Sequence, residues 1–220
     1  MKTITQNLKK LKSSLKDKPQ INIVVVTKTR SPEEIEEAIA AGATSIGENR
    51  VQEATQKFPK INSLEKVEKR LIGRLQSNKV NKAVKIFDTI DSVGTLRLSQ
   101  KISNAAEKTG KKQRILLQIN SSKEDTRSGF DPRNKEEILK CINMPGVLVE
   151  GLMTMGPNTE DVESIARSFK KTKKLFDELK FEENVNLKTL SMGMSGDFLI
   201  GIREGSTQIR VGTAIFGPRS

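Results

Sequence analysis

Residues 21–42 read INIVVVTKTRSPEEIEEAIAAG. Ile21 to Thr27 is a near-continuous run of β-branched and apolar side chains, the pattern of a strand covered on both faces, as in a parallel sheet. A helix over Ser31 to Gly42 follows. Ser31 and Glu34 have the spacing of a capping box, Pro32 takes the first helical position and Gly42 permits a left-handed end. Ile35, Ala38 and Ile39 give that helix an inward face. The unit is strand, short loop, helix, and a parallel sheet needs such a crossover between neighbouring strands.

The alternation recurs to the end of the chain. Strands are expected near 43–47, 69–74, 87–91, 114–120, 147–153, 186–190 and 208–212, each followed by a helical segment except the last. With the first strand that makes eight. Eight parallel strands in 220 residues fit a closed (β/α)8 TIM barrel better than an open doubly wound sheet, which has fewer strands. Met1 to Lys16 adds a helix before the barrel, with Ile4, Leu8, Leu11 and Leu15 on one stripe. No composition shift, low-complexity tract or longer repeat interrupts the pattern, so residues 1–220 are expected to form one domain.

Composition narrows the function classes. A hydrophobic fraction of 35% with 30% charged residues suits a globular chain. No apolar run reaches the roughly 18 residues of a membrane span, and Met1 to Leu8 lacks a signal-peptide core, so a cytoplasmic location is expected. The net charge of +12 raises a nucleic-acid partner, but the lysines are scattered over every expected helix, with acids interleaved and no stacking aromatics among them. A solvated lysine-rich surface is the favoured reading. The single cysteine, Cys141, excludes an internal disulfide and falls beside Ile138 and Ile142, as a structural thiol would. His, Trp and Tyr are absent, which leaves Lys, Asp, Glu, Ser, Thr, Arg or a cofactor to carry any chemistry.

In such barrels the active site lies at the C-terminal ends of the strands. Lys28 stands there and, on the two-residue period of a strand, shares a face with Val24 and Val26. Desolvation would lower its pKa and free the amine to attack an aldehyde; a surface lysine is the competing reading. The loops after strands 7 and 8 are glycine-rich, as phosphate-binding loops of barrels are. The first is Ser191-Met192-Gly193-Met194-Ser195-Gly196-Asp197, in which Ser191 offers a hydroxyl and Ser195 can cap the next helix. The second holds Gly212 and Thr213. Arg210 shares a face with Gly212, and barrel closure would set it beside Lys28. A buried arginine needs an acceptor, either the ring nitrogen of a pyridine-type cofactor or an acid such as Glu48.

Five strings together carry a resemblance: Thr27-Lys28-Thr29, Gly47-Glu48-Asn49-Arg50-Val51-Gln52-Glu53, Ile72-Gly73-Arg74-Leu75-Gln76-Ser77-Asn78-Lys79, Ser191-Met192-Gly193-Met194-Ser195 and Ile209-Arg210-Val211-Gly212-Thr213. In this order, over nearly the whole chain, they resemble the pyridoxal 5'-phosphate (PLP) homeostasis family known as YggS or PROSC. The resemblance implies a barrel of the alanine-racemase type without that enzyme's second domain, with PLP as a Schiff base on Lys28. It implies phosphate contacts from Ser191, Gly212 and Thr213, Arg210 at the ring nitrogen, Asn49 lining the cofactor and Lys79 assisting cofactor exchange. Arg50 stands where the family commonly has tyrosine, Lys69-Arg70 where it has Trp-His, and Arg127 where it has a lysine.

What the resemblance implies is a PLP binder that stores the cofactor or delivers it to apo PLP-dependent enzymes in transient encounters, a monomer with no established reaction. The alternative is a slow PLP-dependent amino-acid racemase. Against that alternative, two-base racemases of this fold use a tyrosine opposite the lysine, and this chain has none. A basic RNA-binding protein is a third reading, in which Lys28 would be incidental.

Overall fold

The computed structural model describes residues 3–18, 20–122, 128–183 and 185–218. The elements run α1 (Ile4–Ser14), β1 (Asn22–Val26), α2 (Pro32–Ala40), β2 (Ser45–Glu48), α3 (Val51–Lys57), β3 (Glu68–Leu71), α4 (Val80–Ile86), β4 (Thr89–Val93), α5 (Leu96–Glu107), β5 (Gln113–Gln118), α6 (Lys135–Ile142), β6 (Val147–Met153), α7 (Val162–Leu179), β7 (Thr189–Ser191), α8 (Phe198–Arg203), β8 (Gln208–Val211) and α9 (Thr213–Phe216). Among the described residues eight strands pair in parallel with their sequence neighbours, and β8 closes on β1 with Val24 opposite Arg210. The expected (β/α)8 barrel is present, with α1 outside it. One expectation needs correction: β8 is followed by the short helix α9, whose Ile215 backs against the α1 side of the barrel.

Local chemistry explains the elements. α2 begins with the capping box that its sequence announces: the Ser31 hydroxyl accepts from the Glu34 N–H and the Glu34 carboxylate from the Ser31 N–H. It ends at Gly42 with φ +91°, a region open to glycine at little cost. α1 is also closed by a capping box, between Thr3 and Gln6, and Leu8, Leu11 and Leu15 of its stripe are buried.

The pleat divides each strand between two environments. Outward residues such as Ile46, Leu71, Ile90, Leu152 and Leu190 pack with the inner faces of the helices, and Val25, Ile209 and Val211 pack with α1 and α2. Inward, the lower barrel is polar. The Arg70 guanidinium lies against both oxygens of the fully buried Asp91, with Nε at 3.2 and 3.0 Å, and reaches Glu68 at 2.7 Å. Gln208 Nε2 then donates to Asp91 at 3.2 Å and to the Ser191 hydroxyl at 3.0 Å. Arg70 fills the place where the resemblance expects histidine, and this chain answers it with two carboxylates.

Candidate functional site

β1 delivers Lys28 to the C-terminal end of the barrel, where it is half-buried. β1 and β2 run in register, Val26 opposite Gly47, so Lys28 and Asn49 each stand two residues beyond a paired position on the inward face. The backbone on both sides of Lys28 is tied down. Lys57, buried near the end of α3, donates from Nζ to the Thr27 carbonyl (2.9 Å), to Glu48 Oε1 (2.9 Å) and to Glu53 Oε1 (2.7 Å). The Thr27 hydroxyl donates to Glu48 Oε1 at 2.7 Å, and the Thr29 N–H donates to Glu53 Oε1 at 2.6 Å. Thr29 has φ +63°, a left-handed conformation that costs a non-glycine residue about 1–2 kcal/mol and persists only where the surroundings hold it. Here Lys57 and Glu53 hold it.

The electrostatics of this brace follow from burial. Desolvation pushes the Glu48 carboxyl up, against the opposing pull of Thr27 and Lys57, and its Oε2 has no hydrogen-bond partner among the described residues. Glu53 is also partly desolvated, but the hydrogen bonds from Lys57 and from the Thr29 N–H outweigh that and hold it below the usual carboxylate range. The Glu48 alternative for Arg210 is thereby corrected, because Glu48 is taken by Thr27 and Lys57.

Arg210, buried in β8, donates from Nη1 to the Ser191 carbonyl (2.9 Å) and hydroxyl (2.6 Å), and from Nη2 to the Thr154 carbonyl (2.8 Å). No carboxylate is among these partners. Burial lowers its pKa, the charges of Asp91 and Asp197 pull the other way and Arg70 adds to the lowering. Two carbonyls and a hydroxyl fix the guanidinium plane without neutralising it.

The loops after β7 and β8 meet at Ser195. Its hydroxyl accepts from the Gly212 N–H (3.3 Å) and the Ala214 N–H (3.4 Å). Ser195 therefore does not cap α8; Asp197 takes that position, and its carboxylate accepts from the Met194 N–H. The cause is the turn at Gly193, φ +98°, which swings Ser195 toward β8. Gly212 lies so close to Val26 that an added Cβ would stand 3.3 Å from that side chain. Two N–H groups converging on one oxygen are a donor set that suits a phosphate oxygen, and Thr213 is exposed beside them.

The expected residues thus divide. Lys28, Asn49, Arg210, Gly212 and Thr213 gather at the barrel mouth, while Ser191 sits lower, holding Arg210. Arg127 falls outside the described residues. Sequence reasoning passed over Lys57, Glu53 and Thr154. Lys57 had a readable signal, since it stands three residues after Ala54 on the inward face of α3, where a lysine must be paired.

Comparison with known proteins agrees with this architecture. The sequence family described as alanine racemase, N-terminal domain, matches residues 1–220. The pyridoxal phosphate homeostasis protein of Aquifex aeolicus is 40% identical over 194 residues, 88% of this chain and 85% of that protein. The Pasteurella multocida protein of the same name is 34% identical, covering 99% of this chain and 98% of its own. Among solved structures, PipY of Synechococcus elongatus superposes with TM-score 0.92 without PLP and 0.90 with PLP bound, at 34% identity, over 98% of this chain and all of that one. Alanine racemase of Clostridium difficile, 19% identical with TM-score 0.78 over 57% of its length, shares the fold. The chain belongs to the alanine racemase N-terminal-domain family and, within it, to the pyridoxal phosphate homeostasis proteins.

Proposed function

We propose that this chain binds PLP as a Schiff base on Lys28 and works in PLP homeostasis, storing the cofactor or passing it to apo PLP-dependent enzymes. The observation that carries the reading is barrel closure. Pairing of β8 with β1 brings Arg210 and Gly212 against the strand that leads into Lys28. In this reading the Gly212 N–H and the Thr213 hydroxyl receive the phosphate, Asn49 lines the cofactor, and Arg210, held by Ser191, faces the ring nitrogen. Bound PLP supplies an aldehyde carbon for the lysine and an electron-withdrawing ring.

The protein's own groups set how strong that ring can become. Arginine keeps its proton at neutral pH, so a ring nitrogen facing Arg210 stays unprotonated and the ring is a weak electron sink. Binding without efficient turnover follows. We also propose that the chain is a cytoplasmic monomer that meets recipient enzymes transiently; among the described residues no helix is long and apolar enough to cross a membrane.

Titration with PLP, read by visible absorbance in the parent and in Lys28→Ala, tests the binding. The parent should gain the Schiff-base band with one equivalent and the variant should not; equal behaviour of the two would refute the assignment. Delivery is a separate claim. PLP should reach an apo-enzyme from the loaded protein faster than by release into solvent, and equal rates would leave storage alone.

A further inference from the structure

We infer that the cavity between the β2 and β3 loops is a second anion site that takes a small dianionic molecule, a phosphate monoester or a dicarboxylate. The hollow has a volume of about 980 Å³ and is walled by Asn49, Arg50, Gln52, Arg74, Ser77 and Lys79, with no carboxylate and no aromatic ring among its described lining residues. Gly73 locks the two loops together: a Cβ there would overlap the Asn49 backbone, and the Ser92 hydroxyl anchors the Gly73 carbonyl at 2.6 Å. Cations on separate loops are thereby held around one space.

In a lysine-rich chain an unpaired lysine means little, so the arginines are the informative ones. Ten arginines are described. Six form ion pairs, Arg30, Arg70, Arg114, Arg133, Arg167 and Arg203, and Arg210 is held by buried hydrogen bonds. That leaves Arg50, Arg74 and Arg97, and two of the three face this cavity. Glu53 feels the charge of Arg50, but its hydrogen bonds go to Lys57 and the Thr29 N–H, and it forms no ion pair with Arg50. Three like charges around a hollow repel one another, and a ligand with two negative charges relieves that repulsion. Arginine's planar fork suits carboxylate and phosphate oxygens alike. A single-stranded nucleic acid fits less well, because nothing in the lining can stack on a base.

The cavity shares Asn49 with the proposed PLP site, and the experiment separates the two. Calorimetric titration of the full chain at low salt uses inorganic phosphate in one arm and succinate in the other, before and after PLP loading, and again in Lys28→Ala. One saturable site should remain in the PLP-loaded chain, in which the Gly212 and Thr213 phosphate site is filled; the unloaded chain and Lys28→Ala should show that phosphate site in addition to the same cavity site. Arg50→Gln and Arg74→Gln should each weaken it about fivefold, which is about 1 kcal/mol, while Arg97→Gln, which removes the same charge elsewhere, should leave it unchanged. Tighter phosphate assigns a phosphoryl ligand, and tighter succinate assigns a dicarboxylate. Absence of saturable binding, loss on PLP loading, or equal weakening by Arg97→Gln would overturn the inference. Failure of Lys28 to take PLP with the anion titration intact would remove the cofactor reading alone.

Discussion

Replacing Lys57 by methionine should loosen the turn that presents Lys28. The substitution keeps an unbranched side chain one atom shorter and deletes three donated hydrogen bonds, to Thr27, Glu48 and Glu53. Glu48 is fully buried, and removing the partner of a buried charge costs about 3–5 kcal/mol. The loss should depend on pH. Glu48 already titrates above its ordinary value, and without Lys57 it can take up a proton, so the cost should be smaller at about pH 5.5 than at about pH 8. Adding Glu48→Gln supplies a neutral side chain in advance and should recover part of the stability at the higher pH. With no Trp or Tyr in the chain, urea unfolding is followed by far-ultraviolet circular dichroism. A second readout separates positioning from folding: under conditions where Lys57→Met is fully folded, PLP should bind more weakly than in the parent. Stability loss equal at both pH values and untouched by Glu48→Gln would refute the reasoning.

Arg70→Ala removes the charge partner of the buried Asp91 and leaves it the Gln208 amide; it should cost about 3–5 kcal/mol by urea unfolding, whereas Arg70→Met with Asp91→Leu should restore much of it. Gly151→Ala places a Cβ into the Thr189 carbonyl across the β6–β7 pair, so a loss of about 2 kcal/mol or more is expected in the same assay. Acid should unfold the protein partly through Glu68, whose desolvation is outweighed by Arg70, Thr89 and Arg114 so that its pKa lies below 4.5. The folded state then holds fewer protons than the unfolded one; stability is present above pH 4.5 and drains as pH falls through the folded value, and Glu68→Gln should flatten that slope. Cys141, whose thiol burial pushes up to about 11, should resist alkylation at neutral pH until the chain is unfolded, which mass spectrometry reads directly.

The barrel was legible because its signals are local and periodic. Near-continuous apolar strands alternate with capped amphipathic helices, and the Ser31–Gly42 segment carries its boundaries in its own residues. The placement of Lys28, Gly212 and Thr213 at the barrel mouth was legible because each stands just after a strand. What escaped reading depends on which side chains meet across the fold. Nothing local says that Glu48 answers Lys57 and not Arg210, since the two cations lie on opposite sides of the sheet and only the pleat decides between them. Ser195 reads as a helix cap by position, but the left-handed turn at Gly193 takes it to the β8 loop. The brace around Thr29 was hidden for a related reason, because a threonine gives no sign that its backbone is left-handed.

The central claim is that Lys28 is the residue that carries PLP. Reduction of the PLP-loaded protein with borohydride, followed by peptide mass mapping, tests it most directly. The account predicts a single pyridoxyl adduct on the peptide containing Lys28 and none there in Lys28→Ala. An adduct mapped to Lys57, Lys79 or scattered surface lysines, with Lys28 unmodified, would contradict it.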